Sequence, residues 1–99
     1  MRTLKGSDRK VLRGLAQALK PVVQVGKNGV TGGLIQSVVA ALDTHELIKV
    51  RFVEFKDQKR ALAEEIARRA ECEQVGMIGH VAIYYREHPE AEKRKIQLP

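Results

Sequence analysis

Ninety-nine residues, 43% hydrophobic and 30% charged, suffice for one packed core, which excludes a multidomain enzyme, a disordered tail and a fibrous repeat. No apolar run approaches the ~18 residues that cross a bilayer, and the first six residues lack the apolar stretch of a signal peptide, so no membrane partner and a cytoplasmic location are expected. The formal net charge is +6, with seven basic residues and only Asp8 acidic in the first thirty positions, and a basic excess of this kind points to a polyanion.

Ser7 or Asp8 is placed to cap a first helix, along which Val11, Leu12, Leu15, Ala16 and Leu19 recur at helical spacing and predict an inward stripe. Arg9, Lys10, Arg13, Gln17 and Lys20 gather on an adjacent, positive face. Pro21 supplies no N–H and disfavours the α conformation at Lys20, so the helix is expected to end there. Val22–Val25 is a short β-branched strand, followed by the loop Gly26-Lys27-Asn28-Gly29 and a helix capped by Thr31 that carries Leu34, Ile35, Val38, Val39 and Leu42. In Leu47–Phe52 the alternation of Ile48, Val50 and Phe52 with Lys49 and Arg51 marks a strand with one buried and one wetter face. A third helix spans about 57–71 with Leu62, Ile66, Ala67 and Ala70 inward. Residues 74–78 and 81–85 are strands joined by Gly79-His80, too short for anything except a tight antiparallel hairpin.

The expected fold class is therefore α/β, in an α+β two-layer arrangement ordered α-β-α-β-α-β-β, with a mixed four-stranded sheet. One face of that sheet is expected to be open, because Lys49 and Arg51 need solvent or a ligand. Residues 1–86 form a single domain, and 87–99 form an extended tail able to dock through Ile96 and Leu98.

The loop at 26–29 carries the chemistry. Two glycines flanking Lys27 and Asn28 let the main chain approach a phosphodiester with no Cβ in the way, and the next helix aims its unpaired N–H groups and positive dipole end at the same place. GXXG loops of this kind clamp a nucleic-acid backbone in KH modules. Candidate nucleic-acid-binding residues are Gly26, Lys27, Asn28, Gly29 and Thr31, then Arg9, Lys10, Arg13 and Lys20 of the first helix, and Lys49 and Arg51 of the sheet. One of Tyr84 and Tyr85 should be core while the other is free to stack on a base. Asp43, His45 and Glu46 lie at a helix-to-strand junction, where polar side chains satisfy loose backbone groups rather than catalyse, and the spacing of His45, His80 and His88 suits no metal. No cofactor is expected. Lys93-Arg94-Lys95 is offset by Glu90 and Glu92 and belongs to a solvated tail.

Pro21–Thr31, His45–Val50, Ile78-Gly79-His80, Tyr85-Arg86 and Ile96–Pro99 together closely resemble the bacterial YhbY family, stand-alone CRM domains named for chloroplast RNA splicing and ribosome maturation. The resemblance implies a non-enzymatic RNA-binding domain associated with precursors of the large ribosomal subunit. It also implies a fold similar to the C-terminal domain of bacterial translation initiation factor three, with sheet order 1-2-4-3. Gly76 stands where the family usually has Gln, Val30 where Leu is usual, and Gln17 where His is frequent. The expected function is shape- and backbone-directed RNA recognition by a monomer. A DNA-binding or nucleoid-type module and a small enzyme acting on a phosphorylated metabolite are the alternatives.

Overall fold

The computed structural model describes residues 3–98; Arg2 of the basic first third and the terminal Pro99 lie outside the described residues. The elements are α1 (Gly6–Ala16), β1 (Val23–Val25), α2 (Gly32–His45), β2 (Leu47–Phe52), α3 (Lys59–Arg69), β3 (Glu73–Ile78) and β4 (Val81–Tyr85), with 3-10 turns at Lys56–Gln58 and Ala91–Lys93. They form an α/β fold around a mixed sheet in the order β1-β2-β4-β3. β1 pairs parallel to β2, with Val23 opposite Val50 and Val25 opposite Phe52, whereas β4 runs antiparallel to both β2 and β3. The parallel pair needs a crossover, and α2 supplies it; the β3–β4 hairpin turns at Gly79, whose φ of +57° suits glycine.

Strand alternation divides the sheet residues between two cores. Val23, Val25, Ile48, Val50, Phe52, Ala82 and Tyr84 face α2 and α3 and pack with Val38, Leu42, Ala63 and Ile66. Leu47, Val75, Ile83 and Tyr85 point the other way and are covered by Leu4, Leu12 and Ala16, with Ile96 and Leu98 of the C-terminal segment packed alongside. The face expected to be open therefore carries a second core. Only its far part stays wet: Arg51, beside Gln24 of β1, is exposed, while Lys49 is half-buried and donates from Nζ to Leu19 O at 3.0 Å.

α1 departs from its expected stripe. Its inward residues are Asp8, Leu12 and Ala16, four apart, with Leu4 packed just ahead of the helix; Val11, Leu15 and Leu19 remain partly exposed. Asp8 is buried because its carboxylate accepts the Lys5 N–H at 3.0 Å, closing the first turn. The helix stops at Ala16 rather than before Pro21. The Lys49 bond to Leu19 O, and the Val22 N–H donated to Lys49 O at 3.1 Å, hold the following residues extended on their way into β1.

The basic face of α1 is partly consumed in holding the β3 edge. Arg9 donates to Gln74 O at 2.8 Å and pairs with Glu73 Oε2 at 3.0 Å, and Arg13 donates to Val75 O at 3.1 Å. The Arg13 stem lies over Gly76, where a Cβ would fall 2.8 Å from Arg13 Cδ. Gly76→Val should displace that stem and cost about 1 kcal/mol, read as a lower melting temperature that Arg13→Ala does not lower further in the double variant.

Candidate nucleic-acid interface

Four segments converge at the C-terminal ends of β1 and β2. Val25 O accepts the N–H groups of both Val53 and Glu54, at 3.0 and 3.1 Å, which ties the chain leaving β2 to the end of β1. Phe52 N–H donates to His80 O at 2.7 Å and brings in the β3–β4 hairpin. Between them the 26–29 loop closes on itself, Gly29 N–H donating to Gly26 O at 3.0 Å, with Gly29 at φ +72°. α2 begins at once. Thr31 Oγ1 accepts the Leu34 N–H at 3.1 Å, while Gly32 and Gly33, the first two residues of the helix, have N–H groups with no intrahelical acceptor.

The cations at this end are Lys27, Arg51, Lys56 and Lys59, with Glu54 and Asp57 interspersed. Lys59 Nζ donates to Gly79 O at 2.7 Å and meets His80 Nδ1 at 3.1 Å. Desolvation first, and then the charges of Lys59 and Lys56, hold His80 below its ordinary imidazole value, so the ring is neutral near pH 7 and accepts from Lys59. Arg69 of α3 reaches Val30 O at 3.1 Å, just past the loop, while paired with Glu65. Lys56, Lys59 and Arg69 belong to helical stretches that read as ordinary solvated faces, and no local signal brings them to the loop.

The residues singled out in the sequence fall into separate groups. Gly26, Lys27, Asn28, Gly29, Thr31 and Arg51 gather at this end of the sheet, the hydroxyl of Thr31 being committed to its cap. Lys20 and Lys49 lie near the opposite end of β1. Arg9 and Arg13 are bonded to β3, the far edge of the sheet, three strand spacings of about 4.8 Å from β1. Arg9 sits moreover at the strand end opposite to the loop, so Arg9 and Arg13 do not form one continuous surface with it. Lys10 is exposed on α1.

Neither tyrosine is available to a base, because both are buried, one in each core. Tyr84 donates its hydroxyl to Ala63 O at 2.8 Å, and burial pushes its pKa up. The exposed aromatic is Phe55, whose ring Cε2 lies 3.5 Å from where a Cβ on Gly29 would stand. Burial also pushes the Cys72 thiol up to about 12 against the opposing pull of Arg86, which keeps it protonated and unreactive. Among the described residues no group of His, Cys, Asp and Glu is placed to hold a metal ion, and no helix is long and apolar enough to cross a membrane.

Comparison with known proteins adds a common pattern. The chain is 41% identical to a Haemophilus influenzae protein named as an RNA-binding protein, over 100% of this chain and 98% of that one. It is 34% identical to a Bacillus subtilis protein named as a probable RNA-binding protein, covering 97% of this chain and 99% of its relative. The solution structure of a Staphylococcus aureus protein, described as a candidate RNA-binding protein, superposes with a TM-score of 0.83 at 35% identity, covering 98% of this chain and all of that one. These relatives are named for binding and not for catalysis. With the family model of the CRS1/YhbY (CRM) domain matching residues 4–86 as well, the chain belongs to the CRS1/YhbY family.

Proposed function

We propose that this protein binds RNA of large-ribosomal-subunit precursors, gripping the phosphate backbone at the 26–29 loop and reading shape more than sequence. One observation carries the reading: the glycine turn, the open amides of Gly32 and Gly33, and the side chains of Lys27 and Arg51 meet at one end of the sheet. Donors held by backbone need no reorganisation to meet a phosphate, and the helix dipole adds to the lysine charge there. The names of the relatives support RNA as the polyanion, and the resemblance to stand-alone CRM domains supports the large subunit as its source. Lys20 and Lys49 add positive charge near the other end of β1 and Lys10 on α1, whereas Arg9 and Arg13 serve first to fix α1 on β3.

Crosslinking in cells with sequencing of the attached RNA, alongside a sucrose gradient of the same lysate, tests the assignment; recovery of ribosomal RNA from fractions lighter than mature large subunits is expected. In vitro, Lys27→Gln with Arg51→Gln should shallow the slope of log affinity against log salt by roughly 1.4 to 1.8. Arg9→Gln should lower the melting temperature while leaving that slope at its wild-type value. Duplex DNA competing on equal terms with ribosomal RNA at fixed salt would overturn the RNA assignment.

A further inference from the structure

We propose that Phe55 is a stacking platform for one unpaired base of the bound RNA, seated in the hollow beside the 26–29 loop; this rests on the RNA-binding reading above. Of the four aromatic residues, Phe52, Tyr84 and Tyr85 are buried, but Phe55 keeps 40% of its surface exposed. It is also held in the left-handed region, at φ +57° and ψ +36°, which a bulky residue occupies at a cost. One edge of the ring rests against Gly29, with Cε2 and Cζ 3.5 and 3.7 Å from the position a Cβ would take there. The ring thus lies beside the 26–29 loop with much of its surface open.

The hollow around it is lined by Lys27, Val53, Glu54, Lys56 and Asp57. Its two lysines are offset by two carboxylates, so a phosphate gains little inside it. A flat, neutral base loses nothing to that balance: its face meets Phe55, its edge meets Val53, and its amino hydrogens find acceptors in Glu54 and Asp57. The phosphate of the same nucleotide then falls toward Lys27 and the loop. An exposed phenylalanine on a surface that carries this much charge suits a nucleobase better than an apolar protein partner.

The test uses the full chain and three short RNA hairpins: fully paired, with a single bulged 2-aminopurine, and with an abasic bulge. Wild-type protein should bind the base-bearing bulge about tenfold or more tighter than the abasic one, and should quench 2-aminopurine fluorescence. Phe55→Leu keeps apolar bulk but has no π face, so it should bind all three hairpins with the affinity wild type shows for the abasic one; Phe55→Trp should keep the discrimination. Thermal melting of both variants reports folding. Lys27→Gln should weaken all three hairpins alike. Discrimination that survives in folded Phe55→Leu, or a wild-type protein that binds all three RNAs equally, overturns the platform and leaves the RNA reading intact. Failure of wild type to bind any hairpin overturns both.

Discussion

Glu46→Ala should release the chain beyond Arg86 from the body of the protein. The Glu46 side chain is 1% exposed and yet ionisable, and its surroundings explain why it is tolerated. Oε2 accepts the His88 N–H at 2.7 Å, and Oε1 accepts those of Lys95 and Ile96 at 2.6 and 3.1 Å. The residue ends α2 at φ +63°, and its own carbonyl accepts the Arg86 N–H at 2.9 Å, so one residue fastens both the start and the end of the C-terminal segment. Hydrogen bonds to a charged group contribute about 1.5–3 kcal/mol each. The desolvation of the carboxylate and the entropy recovered by a freed segment offset part of that sum. A net loss of about 2–4 kcal/mol follows, a large share of the roughly 5–15 kcal/mol typical of a domain. The melting temperature should fall accordingly, and the Ile96 amide should exchange with solvent as fast as in an unfolded chain. Slow exchange at Ile96 in the variant would show that the packing of Ile96 and Leu98 alone holds the segment. Glu46→Gln, which keeps one acceptor but turns an NH2 toward a backbone donor, should fall between alanine and wild type.

Gly26→Asp should abolish most RNA binding at almost no cost in stability. A Cβ at Gly26 meets nothing within 4 Å, and its φ lies outside the left-handed range, so a side chain is accommodated there. The aspartate then holds a negative charge where a phosphate oxygen should sit, and repulsion at such short range outweighs what the remaining lysine charge supplies. Affinity for an RNA hairpin at fixed salt should drop at least about tenfold, while stability stays within about 0.5 kcal/mol of wild type. Gly26→Ala, which adds a Cβ without a charge, should match wild type in stability and lose less affinity than Gly26→Asp. Gly29→Asp is the poorer probe, because Gly29 sits at φ +72° against the Phe55 ring and the substitution would mix strain with charge. A folded Gly26→Asp variant with undiminished affinity would remove the loop from the interface.

Local pattern made much of this architecture legible. β2 and its alternation, the Thr31 cap, the two-residue hairpin and the parallel β1–β2 pair all follow from signals a few residues long. The second core does not, because its members are scattered from Leu4 to Leu98 and each looks locally like something else. Leu47 reads as the flank of a strand whose buried face is Ile48, Val50 and Phe52, and the alternation of Tyr84 and Tyr85 puts only one of the two in a core. On α1, apolarity alone points inward at Val11, Leu15 and Leu19, whereas the buried face contains Asp8, whose burial depends on a hydrogen bond and not on hydrophobicity. The site shows the same division. The glycine loop announces itself, whereas Arg9 and Arg13 look like free cations until β3 arrives 62 to 65 residues later in the chain. Phe55, between Glu54 and Lys56 just beyond β2, gives no local sign that its ring stays open.

The two cores also differ in how the chain must find them. The first unites segments lying between Val23 and Tyr84 around the α2 crossover and can condense from neighbours in sequence. The second joins Leu4 and the Leu12–Ala16 face of α1 to Leu47 of β2, to β3 and β4, and to Ile96 and Leu98, so its widest contacts close loops of nearly the whole chain at a larger cost in entropy. Loop closure therefore favours early contacts on the α2–α3 side and later docking of the Glu46-bound segment, an order that φ-values at Val38 and Ile96 would check. In the native state the layer of α1 and the C-terminal segment is expected to open before the first core that carries the 26–29 loop, which faster amide exchange at Leu12 and Ile96 than at Val25 and Val38 would check.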